Sequence, residues 1–86
     1  MASDVISLEY IKRYPDSKTS RLWRKKRVNV FTVGQGYWRP QSAGYTNQRF
    51  EAWVLPFETA LAHTAGISPK HDKIEFHLCD MPGNKL

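Results

Sequence analysis

The side chains with the richest chemistry lie near the C-terminus, where His71, Asp72, Glu75, His77 and Cys79 bring together imidazoles, carboxylates and the chain's single thiol. These are metal-ligating types. A zinc site, however, gathers about four ligands, usually as tight pairs, and no second pair accompanies this group. On a strand His77 and Cys79 share a face, which suffices for contact with a stray ion and falls short of a built centre. Gly34-Gln35-Gly36 is too short for a phosphate-cradling loop and leads toward strand-forming residues, not a helix. Serines and aspartates are scattered with no histidine at motif spacing. Catalysis needs a nucleophile held beside a base, or a metal with an open position, and neither is legible. The expectation is a non-enzymatic protein with no cofactor and no bound metal.

The second chemical feature is charge. The chain carries a net charge of +5, from 13 Lys and Arg against 8 Asp and Glu. All of that excess lies in residues 1–27, because residues 28–86 hold equal numbers of acids and bases. Within it, Lys18, Arg21, Arg24, Lys25, Lys26 and Arg27 form a run of six cations with no acid among them. Mutual repulsion in such a run opposes folding unless counterions or an anionic partner offset it. Trp23 stands in the middle. Cations around an aromatic ring suit a phosphate backbone with a stacked base, or an acidic protein surface with a pocket for the ring. A solvated loop whose Trp23 folds back onto the core is the alternative. Ala60–Ser68 also resembles the second helix and turn of a helix-turn-helix, with Ala62, Gly66 and Ile67 in matching roles. The recognition helix is missing: Asp72 occupies its apolar position, and Ile74–Leu78 alternates like a strand.

The elements that must position these residues read as follows. In Asp4–Tyr14, Ile6, Leu8 and Tyr10 alternate with Ser7 and Glu9, which favours a strand over a helix capped by Ser3. Pro15-Asp16-Ser17 breaks the chain, and residues 18–27 are expected as a loop or insertion. Val28–Val33, rich in β-branched residues, is the clearest strand. Pro40 and Gly44 shape a hairpin from Tyr37 to Asn47, with Tyr37, Trp38 and Tyr45 as cross-strand partners. Along that hairpin Tyr37 and Arg39 share a face, and with Tyr45 they form a candidate binding face. Pro56 opens a short helix in which Phe57, Ala60, Leu61, Thr64 and Ala65 recur at helical spacing until Gly66 stops it. Ile74, Phe76 and Leu78 alternate in a last strand, and Pro82–Leu86 reads as a tail. The predicted class is α+β: a single small domain, with an antiparallel sheet of about four strands and one short helix on one face.

Composition narrows the classes further. At 86 residues, 41% apolar and 24% charged, the chain falls within the range of one folded domain. No apolar run reaches the roughly 20 residues that span a bilayer, so no membrane role is expected. The N-terminal residues show no secretory signal, and a lone cysteine fits a reducing compartment. A small sheet leaves edge strands, through which a homodimer could form.

Tyr37-Trp38-Arg39-Pro40-Gln41-Ser42-Ala43-Gly44-Tyr45-Thr46 resembles the Trp-Arg-Pro…Gly-Tyr-Thr hairpin of small proteins encoded by bacteriophages and prophages. Val5–Tyr10, Ala52-Trp53 and Pro56–Ala65 sit in places corresponding to the extended segment, alanine-containing segment and helix of that group. Residues 18–36 depart from it, so the cationic run has no counterpart there. The family is largely of unassigned function. The resemblance implies a phage accessory protein that inhibits a host defence or nucleic-acid-handling complex, in the manner of anti-CRISPR proteins, in a host bacterial cytoplasm. On this reading Lys18, Arg21, Trp23, Arg24, Lys25, Lys26 and Arg27, with Tyr37, Arg39 and Tyr45, would meet an acidic protein or nucleoprotein surface. The alternative is a module that binds nucleic acid directly.

Overall fold

The computed structural model of the chain describes residues 4–68 and 72–79. His71 and the tail expected at Pro82–Leu86 lie outside the described residues. The fold is α+β, with more elements than the sequence reading allowed. Strands β1 (Val5–Ser7), β2 (Arg27–Thr32), β3 (Gly36–Trp38), β4 (Tyr45–Thr46), β5 (Leu55–Pro56) and β6 (Ile74–Leu78) accompany helices α1 (Leu8–Arg13), α2 (Lys18–Trp23) and α3 (Phe57–Thr64). No helix among the described residues is long and apolar enough to cross a membrane.

The clearest strand of the sequence, β2, is the centre of an antiparallel sheet ordered β1-β6-β2-β3-β4. Along one edge it pairs with β6, setting Val28 opposite Leu78, Val30 opposite Phe76 and Thr32 opposite Ile74. Along its other edge β3 pairs near the end of β2 and β5 near its start. Side chains alternate along each strand, so this register sorts them without ambiguity. Val28, Val30 and Thr32 share a face with Ile74, Phe76 and Leu78, while Asn29 and Phe31 share the other with Glu75 and His77.

The helices cover the first of these faces. Phe57 of α3 meets Phe76 with ring centroids 5.0 Å apart, and both are fully buried. Ala60 and Thr64, on the same side of α3, are buried with Phe57, as their spacing indicates. Lys12 of α1 donates to the carbonyl oxygens of Ala65 and Ile67 at 3.2 and 3.0 Å, setting a cation at the end of α3 where carbonyls lack helical partners. Beyond Gly66 the chain reaches β6, so no recognition helix follows α3 among the described residues.

The N-terminal segment corrects the sequence reading. Only Val5–Ser7 is a strand, and the chain then turns into α1. Leu8 and Ile11 are three residues apart, an odd interval that a continued strand would place on opposite faces. A helix puts both inward, where they are 1% and 4% exposed. Burying one more large aliphatic side chain stabilises by about 1.5–3 kcal/mol, which exceeds the roughly 1 kcal/mol span of strand propensities. Ser7 completes the switch, because its Oγ accepts from the Tyr10 amide at 3.0 Å as the helix cap.

Candidate interface for an acidic partner

The cationic run is a loop only in part: Lys18–Trp23 forms α2, residues 24–26 a turn, and Arg27 begins β2. Ser17 caps α2, its Oγ accepting from the Ser20 amide at 3.1 Å. Ser20 and Trp23, three residues apart, form the inward side of this helix and are buried. The Ser20 hydroxyl donates to the Tyr14 carbonyl at 2.6 Å, and the Trp23 ring packs 5.9 Å from that of Phe57. A turn continues through Lys25 and Lys26, whose amides donate back to the carbonyls of Leu22 and Trp23. The segment is therefore tied into the helix layer by hydrogen bonds and by the Trp23–Phe57 contact.

This arrangement separates Trp23 from the cations around it. At 7% exposure Trp23 is a core residue and not the protruding anchor expected from the sequence. Burial of the indole gains more than its exposure would, and six neighbouring charges cannot follow it inside without partners. Lys18, Arg21, Arg24, Lys25, Lys26 and Arg27 are accordingly all exposed. Arg24 donates to the Pro15 carbonyl at 3.4 Å, a long contact at the surface. Among the described residues none of the six cations has an acidic partner within ion-pair distance.

Beside this surface a groove of about 640 Å³ runs between β1 and α2. Val5, Ile6, Tyr10, Leu22, Trp23 and Leu78 supply its apolar walls. Leu22 is 55% exposed at its mouth. Lys26 lines the groove and also belongs to the cationic run. The sequence reading missed Leu22 and Val5. The available signal was an apolar residue left on the outer side of α2 once Ser20 and Trp23 turn inward.

The hairpin half of the expected site lies elsewhere. Tyr37 pairs with Phe31 and Thr46, on the sheet face opposite the helices. Tyr45 pairs with Trp38 and leaves the sheet on the other side. A binding face shared by Tyr37 and Tyr45 is thus ruled out by register. Trp38 is half-buried and its indole donates to Thr32 Oγ1 at 2.9 Å, on the helix-covered face. Arg39 follows β3 as an exposed residue, its amide donating to the Gly44 carbonyl at 2.9 Å.

Tyr37 belongs instead to a polar and aromatic network that the sequence did not disclose. His77 Nδ1 lies 3.0 Å from the Tyr37 hydroxyl, and His77 Nε2 lies 3.0 Å from Glu75 Oε1. An ionised carboxylate only accepts, so with the imidazole neutral Nε2 donates to Glu75 and Nδ1 accepts from Tyr37. Phe31 packs edge-on against Tyr37 at 4.9 Å, and the Arg49 guanidinium stands 5.9 Å over the Tyr37 ring. Arg49 Nε donates to Asn29 Oδ1 at 3.1 Å, a second guanidinium nitrogen donates to the Leu78 carbonyl, and Asn29 Nδ2 donates to the Trp53 carbonyl at 2.9 Å. These groups satisfy one another, which secures the sheet face opposite the α-helices. Cys79 is buried, and its amide donates to the Arg27 carbonyl, extending the β2–β6 ladder.

No protein-family model matches this chain, and no curated protein or solved structure matches it either.

Proposed function

We propose that this protein acts by stoichiometric binding, without catalysis, and that its α2 face docks on an acidic surface of a partner protein or nucleoprotein complex. The observation that carries this reading is the exposure of all six cations of residues 18–27, unpaired among the described residues, along α2, the turn that follows it and the first residue of β2, a segment whose Trp23 packs on the core. Long-range attraction from such a cluster speeds encounter, and the arginines add forked contacts to carboxylates. The hairpin resemblance would place the partner among host defence or nucleic-acid-handling complexes.

Direct binding to nucleic acid is the second reading, favoured by the same six cations. Burial of Trp23 removes from the cluster the ring that would have stacked on a base, so single strands lose their main attraction beyond charge. Duplex phosphates remain. If all six cations met them, log affinity would fall against log salt with a slope of about −5. The deciding experiment is a pull-down with and without nuclease, beside a mobility-shift assay of duplex DNA and RNA at about 50 mM salt. Recovery of a defined partner protein after nuclease treatment supports the first reading. Recovery only through nucleic acid, with a shifted duplex, overturns it in favour of the second.

A further inference from the structure

The groove between β1 and α2 specifies what an acidic partner must present, an inference that rests on the docking reading above. Its volume of about 640 Å³ falls within the roughly 300–1,000 Å³ of pockets that enclose a ligand. Its walls are mainly aliphatic and aromatic. Trp23 forms part of them from the core, so that wall is fixed, whereas Leu22 and Val5 stand partly in solvent. Lys26 and Asp4 are the charged residues of its lining, and Lys25, Arg24 and Arg21 are near neighbours of Lys26 along the chain. An apolar pocket bordered by charge is the usual setting of a binding hot spot, where a large side chain is desolvated and polar groups around it fix register.

We propose that this groove receives a large apolar side chain, tryptophan or phenylalanine, from an acidic segment of the partner protein. Lys26 and the neighbouring cations hold the carboxylates flanking that side chain. Charge complementarity selects the segment, and the apolar walls select the residue at its centre. A nucleic-acid duplex offers the charge with its bases stacked inside, so the groove favours an acidic protein segment over a duplex.

The test uses fluorescently labelled peptides that are runs of Asp and Glu, identical except for a central Trp or Ser, with binding read by anisotropy at low salt. The Trp peptide is expected to bind at least about tenfold more tightly, as burial of part of an aromatic ring implies. Leu22→Ser, which removes a wall, and Thr19→Trp, which fills the groove, should each abolish that preference and leave the affinity for the Ser peptide unchanged. Both residues are exposed, and thermal melts are run beside the binding assay to check that each variant folds. Arg24→Glu with Lys25→Glu should weaken both peptides. Equal affinity of the two peptides overturns the groove assignment and leaves the docking reading standing, as does a Trp preference that survives in both groove variants. Failure of both peptides to bind overturns both readings.

Discussion

The indole of Trp23 lies 5.9 Å from the ring of Phe57, tilted 53° to it, and Phe57 in turn packs on Phe76 of the central sheet. This aromatic stack packs α2, which begins the cationic surface, against the core. Stability and binding are thus joined at one residue and separable at its neighbours.

Trp23→Ala should therefore destabilise the fold by about 3 kcal/mol, as large-to-small core substitutions do. Urea unfolding measures it. A loss below about 1 kcal/mol would show that α2 is held by something other than this stack.

Charge reversal next to it should behave differently. Arg24 and Lys25 are exposed and have no acidic partner among the described residues. Arg24→Glu with Lys25→Glu should change stability by no more than about 0.5 kcal/mol, a shift of a few degrees in Tm, while abolishing capture of the partner. A large drop in Tm with intact binding would contradict the proposed interface.

Two glycines at β3 should separate backbone strain from collision. Gly36 has φ +127°, and an added Cβ there would lie 2.8 Å from the Thr46 carbonyl oxygen. Gly34 has φ +90° with open space around it. Gly34→Ala should cost about 1–2 kcal/mol from backbone conformation alone. Gly36→Ala should cost more, because the β3–β4 pairing must also give way, and thermal melts of the two variants rank them.

Asn29 is fully buried and joins the Trp53 carbonyl to Arg49. Asn29→Ala leaves both partners unsatisfied and should destabilise by about 1–3 kcal/mol. Arg49→Ala in the same chain should be less than additive with it, since each removes the same contact. A double-mutant cycle by urea unfolding reads the coupling.

Tyr37→Phe removes the hydroxyl bonded to His77 and should cost about 0.5–1.5 kcal/mol. Tyr37 faces away from the helix layer, so partner binding should be unchanged. Lost binding with unaltered stability would move the interface to the sheet face opposite the α-helices.

Local pattern alone determined much of this protein. β-Branched residues marked Val28–Val33, alternation marked Ile74–Leu78, helical spacing marked the segment after Pro56, and the confinement of the net positive charge to residues 1–27 is a fact of sequence. Each of these depends on neighbours within one element, which is the range over which periodicity carries information. Tertiary structure decided the rest. Whether Asp4–Tyr14 continued as a strand depended on Leu8 and Ile11 both finding the core. The direction of Trp23 depended on Phe57, more than thirty positions along the chain, and α2 presents too few apolar residues to announce a buried side. Tyr37, His77, Asn29 and Arg49 come together only through strand register, and register is a relation between distant segments that no single stretch of chain encodes.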